Sequence, residues 1–322
     1  MKDWKKIPKQ KNPKQISRPK PAPFKWAGSK NKMFKKYYSC GFFPQEEPNV
    51  FVDMFSGSGC VSLWVKQNYP NVDIVINDKC LELTSMLKDM KANTYSQFES
   101  EYMKHVTNGY ANKSIKYRKQ YYYDLRNKYT HGYNSMSSIE QSGALFYMLQ
   151  TGFNGIWQTS KNFNFRYATA CGIMTWKHPG KLFDLSRIRE YAQFIDSCTI
   201  LSNDYQKTTS YIKKGTWFYA DPPYRSSKGT YKSAGNFTDS NQEALCDFLN
   251  IAHTAGCKIA LSNREIINDE WVPSEEEIDV GWFADKFNND FNVTYHKVKY
   301  TAGRHNRGAG ARSTEVLIKN YV

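Results

Sequence analysis

The alternation of apolar and polar positions along the chain predicts short strands joined by helices. From residue 50, apolar strands are predicted at 50–52 and 72–76, and helical patterns begin near residue 60 and span 81–90. A strand–helix–strand rhythm of this kind is typical of parallel strands with crossover helices. We therefore expect an α/β unit to open here.

Residues 93–197 interrupt that rhythm. They are dense in Tyr, Lys and Asn, with helical patterns near 96–106, 114–128 and 138–150, followed by a loop-like aromatic stretch at 151–183. Because this segment adds no strand–helix alternation, we interpret it as an inserted, mainly helical subdomain.

The strand pattern returns near residue 199 and continues to the end of the chain. Ser240 and Glu243 have the spacing of a capping box, which predicts the start of a helix with apolar residues at helical spacing. The last two predicted strands are typical of a closing antiparallel pair. The strands predicted in this part are 199–202, 217–220, 258–261, 292–299 and 315–318.

Size and composition narrow the class of protein. The chain has 322 residues, of which 40% are hydrophobic, enough for one large domain with an insertion. No apolar run reaches the roughly 18 residues of a membrane span, and the first residues lack the apolar stretch of a secretory signal. The seven cysteines form no Cys-x-x-Cys pair, so neither a zinc site nor a disulfide framework is indicated. We expect a cytoplasmic protein without a metal.

Charge adds a first functional indication. The formal net charge is +15, which favours a polyanionic partner through phosphate contacts. Residues 1–23 are rich in Lys and Pro and are interpreted as a flexible basic tail. A solvated basic surface is the alternative. Membrane-surface binding is disfavoured, because no basic amphipathic helix is evident.

The sequence Asp221-Pro222-Pro223-Tyr224 directly follows the strand predicted at 217–220. Consecutive prolines cannot continue a central strand, because each lacks an N–H group and has a fixed φ. They predict a stiff loop at the carboxyl edge of the sheet, where open α/β folds bind ligands. A plain strand-terminating turn is the alternative for this motif taken alone.

A glycine-containing turn follows the strand at 50–52. Gly57 and Gly59 would let the backbone approach a ligand closely, although a turn required only by packing would look the same. The pattern is neither G-x-G-x-x-G nor a P-loop, which favours a smaller adenosyl ligand over a dinucleotide or ATP. Asp78, after the next strand, can accept hydrogen bonds from two ribose hydroxyls or can serve only as a helix cap.

In their order along the chain, these segments resemble the Dam-type (class alpha, D12) DNA adenine N6-methyltransferases. Residues 24–30 (FKWAGSK) are similar to motif X, 51–59 (FVDMFSGSG) to motif I, 77–78 to motif II and 221–224 (DPPY) to motif IV. Residues 152–155, 237–238 and 312–321 are similar as well. The resemblance runs from residue 24 to the end of the chain.

The resemblance implies a fold and a reaction. The fold would be a Rossmann-like S-adenosylmethionine-dependent methyltransferase domain with a mixed seven-stranded sheet, built from residues 24–92 and 198–322. Residues 93–197 would be the target-recognition subdomain. The implied reaction moves the methyl group of S-adenosylmethionine to an extruded adenine in double-stranded DNA. We expect a monomer acting in a bacterial or phage-infected cell.

The resemblance also implies which residues form the site. Those implied to contact or shape the S-adenosylmethionine pocket are Trp26, Lys30, Asp53, Phe55, Gly57, Gly59, Asp78 and Asp221, and Asp204 lies at the position near the cofactor adenine. Those implied to hold the extruded adenine are Asp221, Pro222, Pro223 and Tyr224.

The chemistry agrees with these residue types. The exocyclic amine of adenine is a poor nucleophile, because its lone pair is delocalised into the ring. A carboxylate and a backbone carbonyl of a rigid turn can accept both amine hydrogens and draw the nitrogen toward tetrahedral geometry. The ring of Tyr224 offers a face on which an extruded base can stack. The sulfonium donor is already activated, so no metal is required.

The predicted target-recognition segment departs from the family pattern at one place. GATC-specific members carry an Arg and an aromatic residue before an Asn, where this chain has Ile156-Trp157-Gln158. Gln158 can read an adenine edge and Trp157 can stack on a base, or both can be structural. A basic loop at 303–308 is a candidate phosphate contact. The target sequence therefore stays open.

Two other functions remain as alternatives. The acceptor could be an RNA adenine or a cytosine amine instead of a DNA adenine. The chain could also bind DNA and S-adenosylmethionine without turnover, although the intact Asp221 and Asp78 argue against this.

Overall fold

The computed structural model describes residues 20–153, 156–172, 183–224, 237–265, 281–299 and 312–322. Within these residues, seven strands form one sheet with helices on both faces. The strands are β1 (Val50–Asp53), β2 (Asp73–Asn77), β3 (Cys198–Leu201), β4 (Thr216–Ala220), β5 (Lys258–Glu265), β6 (Asn292–Lys299) and β7 (Arg312–Lys319). The helices are α1 (Phe34–Ser39), α2 (Cys60–Asn68), α3 (Leu81–Asp89), α4 (Tyr95–Gly109), α5 (Ile115–His131), α6 (Ser138–Thr151), α7 (Leu185–Asp196) and α8 (Asp239–Thr254).

The sheet is mixed, and its order is β3-β2-β1-β4-β5-β7-β6. Strands β1 to β5 run parallel to one another, whereas β7 pairs antiparallel with both β5 and β6. The predicted Rossmann-like α/β fold with a mixed seven-stranded sheet is confirmed, as is the closing antiparallel pair.

Alternate residues of the central strands enter two different cores. Phe51 and Trp217 pack edge to face, with ring centroids 4.7 Å apart, on the side of the sheet covered by α2 and α3. Val52 and Phe218 point to the opposite side, where they meet Leu249 of α8. Because both faces are covered, the central strands are apolar throughout instead of alternating.

The helices between residues 93 and 197 share the first of these cores. Tyr102 of α4 and Phe146 of α6 pack edge to face, with centroids 4.9 Å apart, in the cluster that also holds Phe51. Ser137 and Glu140 form a capping box at the start of α6. The division of the chain into a catalytic domain and a 93–197 subdomain stays a prediction.

Several boundaries differ from the sequence-based expectation. Strand β5 continues beyond residue 261 to Glu265, because its polar end pairs with β7. The predicted capping box of Ser240 and Glu243 is wrong: helix α8 is capped two residues earlier, with Thr238 and Asn241 forming the box. Helices α1 and α7 were not expected.

Some expectations fall outside the described residues. They concern positions 1–19 of the basic tail, residues 154–155 and the 303–308 loop. All seven cysteines are free in this structure. None of the helices in the described ranges has the length and apolar character needed to span a membrane.

Candidate active site

The carboxyl ends of β1 and β4 bound a cavity at the middle of the sheet. The chain continues from β1 to β2 on one side and from β4 to β5 on the other, so this is the point where the strand order reverses. The cavity has a volume of about 350 Å³. It is lined by all the predicted site residues except Gly59: Trp26, Lys30, Asp53, Phe55, Gly57, Asp78, Asp204, Asp221, Pro222, Pro223 and Tyr224.

Residues 221–224, here called the proline corner, leave β4 at one end of the cavity. Asp221 Oδ2 accepts a hydrogen bond from Lys30 Nζ at 2.5 Å, and the side chain of Lys30 is only 5% exposed. Asp221 Oδ1 is buried and has no hydrogen-bond partner in the described part of the chain. One carboxylate oxygen is therefore fixed by a cation, while the other retains its capacity to accept.

The electrostatics of this pair follow from its burial. Burial raises the pKa of Asp221 to about 6, although the Lys30 ammonium acts in the opposite direction. Burial also disfavours the ammonium form of Lys30, but the carboxylates of Asp221 and Glu315 outweigh it and hold the Lys30 pKa above its ordinary value. The pair is therefore ionised at neutral pH, with the carboxylate close to its titration range.

Tyr224, the aromatic residue of the proline corner, is contacted by a side chain of β5. Ser262 Oγ lies 3.3 Å from Tyr224 Oη and 2.6 Å from Tyr37 Oη. Lys30 Nζ lies 4.9 Å from the centre of the Tyr224 ring, which is a cation–π distance. Gln242 of α8 donates a hydrogen bond to the carbonyl of Pro223 at 2.9 Å. These contacts fix the orientation of the corner.

Residues 56–59, here called the glycine turn, form the other end of the cavity. Gly57 has a φ of +50°, and a Cβ atom there would lie 2.5 Å from Nε1 of Trp26. Only glycine therefore allows the Trp26 indole to lie against the turn. Gly59, with a φ of +63°, starts α2 and faces Phe194 instead of the cavity.

Asp78 holds the glycine turn in place. Its Oδ2 accepts the Gly57 N–H at 2.9 Å, and its Oδ1 accepts the Cys80 N–H at 2.8 Å, beside the start of α3. Burial raises the pKa of Asp78 above its usual range. Each carboxylate oxygen has a second lone pair, so the side chain both supports the turn and can accept hydrogen bonds from a ligand.

Asp53 lies at the end of β1 and is 1% exposed. Its Oδ2 accepts a hydrogen bond from Ser62 Oγ at 2.6 Å, and its Oδ1 is buried without a partner among the described residues. Burial raises the Asp53 pKa to about 7. A buried carboxylate in this state favours a positively charged ligand nearby.

Three aromatic rings surround the cavity beyond Asp78. Phe55 lies 5.4 Å from Tyr205 and 5.8 Å from Phe237, measured between ring centroids. Asp204 lies beside them and forms an ion pair with Lys79 at 3.4 Å. These rings provide flat apolar surfaces suited to a heteroaromatic ligand.

Sequence reasoning missed some residues that form or support the site. The strand predicted at 258–261 ends before Ser262, and no sequence motif includes Tyr37. Trp157, for which base stacking and a structural role were both open, lines this cavity. The described part of the chain contains no cluster of His, Cys, Asp and Glu that could hold a metal ion.

Comparisons with known proteins agree with this architecture. A family model described as D12 class N6 adenine-specific DNA methyltransferase matches residues 26–286. The Type II methyltransferase M1.LlaDCHI of Lactococcus lactis subsp. cremoris is 28% identical over 312 residues, which cover 92% of this chain and 94% of the relative. The DNA adenine methylase of Haemophilus influenzae is 24% identical over 249 residues, which cover 75% of this chain and 78% of the relative.

These matches confirm the resemblance drawn from the motifs. The family model spans well over half of the chain and contains the proline corner, the glycine turn and the cavity between them. The chain therefore belongs to the D12 class of N6 adenine-specific DNA methyltransferases.

Proposed function

We propose that this protein transfers the methyl group of S-adenosylmethionine directly to the N6 amine of an adenine that has left the double helix. The observation that carries the proposal is Asp221 Oδ1, which is buried with no hydrogen-bond partner among the described residues and shares one cavity with the glycine turn and Asp78. A cavity of about 350 Å³ is within the range of small-molecule sites.

The residues present suit S-adenosylmethionine. Asp78 can accept hydrogen bonds from ribose hydroxyls, and Phe55 can pack against the purine. Asp53, a buried carboxylate that makes no salt bridge with a described residue, suits the positively charged methionine portion. Trp26, against the glycine turn, would cover the ligand on its other side. Bound S-adenosylmethionine supplies a methyl carbon that is already activated by its sulfonium.

The chain's own contribution to the reaction is acceptor geometry. Asp221 Oδ1 would accept one hydrogen of the adenine amine, and a backbone carbonyl of the proline corner would accept the other. Lys30 keeps Asp221 ionised and oriented, since it binds the opposite oxygen. The ring of Tyr224, fixed by Ser262, would stack on the extruded base. The nitrogen lone pair would form the new N–C bond as the methyl–sulfur bond breaks, with S-adenosylhomocysteine as the leaving group, and the amine would release one proton to water.

Double-stranded DNA is the proposed substrate, and the 93–197 segment is proposed to recognise its target. The net charge of +15 favours phosphate contacts. We propose that the protein acts as a monomer in the bacterial cytoplasm, in keeping with the bacterial origin of its relatives.

The decisive test compares Asp221→Ala with the wild type in a radiolabelled-methyl assay on DNA, RNA and protein. The wild type should label DNA adenine, and the variant should lose labelling by at least about 100-fold while DNA binding persists. Asp247→Asn, an exposed change on α8, is the matched control and should retain activity. Equal labelling by Asp221→Ala and wild type would refute the assignment.

The same assay separates the alternatives. Labelling of RNA or of cytosine would change the acceptor but keep the chemistry of the proline corner. Binding of S-adenosylmethionine by the wild type without label in mixed genomic DNA would favour a binding protein without turnover.

A further inference from the structure

One wall of the cavity comes from the segment between residues 93 and 197. Among the described residues of that segment, Trp157 is the one that lines the cavity. Its side chain is 2% exposed, and its ring centroid lies 5.3 Å from that of Trp26. On its other side it packs against Tyr167, at 5.1 Å. The indole therefore lies between the cavity and the rest of the inserted segment.

Trp157 belongs to a folded-back loop of residues 156–169, here called the 156–169 loop. Ala168 N–H donates to the Gln158 carbonyl at 2.8 Å, and Gln158 N–H donates to Thr169 Oγ1 at 3.3 Å. Nearer the tip, Phe165 N–H donates to the Ser160 carbonyl at 2.9 Å. Hydrogen bonds therefore connect the two sides of the loop from its base, near Trp157, to its tip.

The tip of this loop faces solvent, in contrast to its buried base. Phe165 is 55% exposed and has a φ of +56°, an uncommon backbone conformation for a bulky residue. Lys161 near the tip is exposed as well, and so is Gln158, which directly follows the buried Trp157. An exposed amide, a cation and an aromatic ring are suited to contact with base edges, phosphates and bases.

The segment that carries Trp26 is also fastened to the helix that precedes the loop. Lys25 Nζ donates to the Gly152 carbonyl at 2.9 Å, at the end of α6. Gln150 Nε2 donates to the Pro23 carbonyl at 2.8 Å. Residues 23–26 are therefore bound to the end of α6, just before the 156–169 loop, and both segments lie beside the cavity.

We propose that Trp157 couples cofactor binding to DNA binding, as a wall shared by the cofactor pocket and the 156–169 loop. The inference rests on the proposed function, since it takes the cavity ligand to be S-adenosylmethionine. A ligand packed against Trp26 and Trp157 sets the position of the indole at the base of the loop, and the hydrogen bonds between base and tip carry that position to the residues that would contact DNA. By linkage, DNA strengthens cofactor binding by the same factor.

The test measures the binding of S-adenosylhomocysteine, an unreactive analogue, by calorimetry with and without a saturating DNA duplex. The duplex carries the site that the wild-type protein methylates, found first by modified-base sequencing. The wild type should bind the analogue at least about 5-fold more tightly with the duplex present. Trp157→Leu should bring this ratio close to 1, and Trp157→Phe, which keeps a ring and protects the fold, should lower it part of the way.

Trp64→Phe is the matched control, because Trp64 is 1% exposed in α2 but does not line the cavity. It should keep the wild-type ratio. A wild-type ratio of 1, or an unchanged ratio in both Trp157 variants, would overturn the coupling while leaving the methyltransferase assignment intact. Absence of any analogue binding by the wild type would instead count against the proposed function itself.

Discussion

The buried carboxylates at the two ends of the cavity have different partners. At the proline corner, Asp221 is paired with a buried cation, Lys30, at 2.5 Å. At the glycine turn, Asp53 and Asp78 accept hydrogen bonds only from neutral hydroxyl and amide groups of the described residues. One end is thus neutralised by the protein itself, and the other is left with an excess of carboxylate.

This difference indicates which ligand each end suits. A neutral amine needs an ionised acceptor that is already in place, which the Asp221–Lys30 pair provides without a net charge. A cationic ligand suits the end where burial raises the pKa of Asp53 to about 7, because its charge would stabilise the carboxylate form. Substitution or titration of residues at the two ends should therefore have different consequences.

The largest effect is expected from Lys30→Met. The change leaves the Asp221 carboxylate buried without its cation, so its pKa should rise and the acceptor form should be depleted at neutral pH. Methyl transfer should fall by at least about 100-fold at pH 7 and recover partly at higher pH. Lys88→Met, an exposed change on α3, serves as the control. A variant with a normal rate and an unshifted pH profile would show that the pair does not govern activity.

The pH dependence of the wild type should report the same carboxylate. Its pKa of about 6 is raised by burial, so Asp221 is ionised above that value and becomes protonated as the pH falls through it. Because the acceptor role needs the ionised form, kcat/KM for DNA should drop about tenfold per unit below pH 6. Measurement of kcat/KM from pH 5 to 8 tests this. A flat profile across pH 6 would contradict an acceptor role for the carboxylate.

Sequence reasoning predicted the proline corner and the glycine turn because both are local. A strand, its terminal acid and the turn that follows lie within a few consecutive residues, so residue types alone indicate their geometry. The mixed seven-stranded sheet implied by the family resemblance is confirmed as well, whereas the order of its strands was not predicted.

Contacts between segments that are far apart in the sequence could not be predicted from local residue patterns. Ser262 and Tyr37 are 225 positions apart, yet their hydroxyls lie 2.6 Å from each other. Strand β5 was predicted too short because Ser262 and Asn263 are polar, whereas both are buried and pair with β7. The start of α8 was misjudged because Thr238–Asn241 and Ser240–Glu243 share the same spacing, and spacing alone does not choose between them.

Ser262→Ala should have a smaller effect than Lys30→Met, since it removes the support of Tyr224 without changing a charge. We expect kcat to fall about 10-fold with little change in the Kd for S-adenosylmethionine. Ser262→Thr, which keeps the hydroxyl, should recover part of the rate. Stopped-flow methyl transfer and equilibrium dialysis measure the two quantities. An equal loss in the Ala and Thr variants would point to a packing defect instead of lost support for Tyr224.

The smallest effect is expected at the other end of the cavity, from Asp53→Asn in the ligand-free protein. The folded pKa of Asp53, about 7, lies above its ordinary value, so the folded state binds the proton more tightly than the unfolded chain does. This contribution to stability is fully present below about pH 4 and is lost as the pH rises through 7. The asparagine can keep the hydrogen bond from Ser62 and carries no charge, so the variant should melt about 2–4 °C above the wild type at pH 8 and level with it near pH 5.

Asp221 and Asp78 titrate in both proteins, so the difference between the two melting curves isolates Asp53. Parallel curves over pH 5–8 would mean that Asp53 carries no buried charge, and the contrast between the two ends of the cavity would then rest on Asp78 alone.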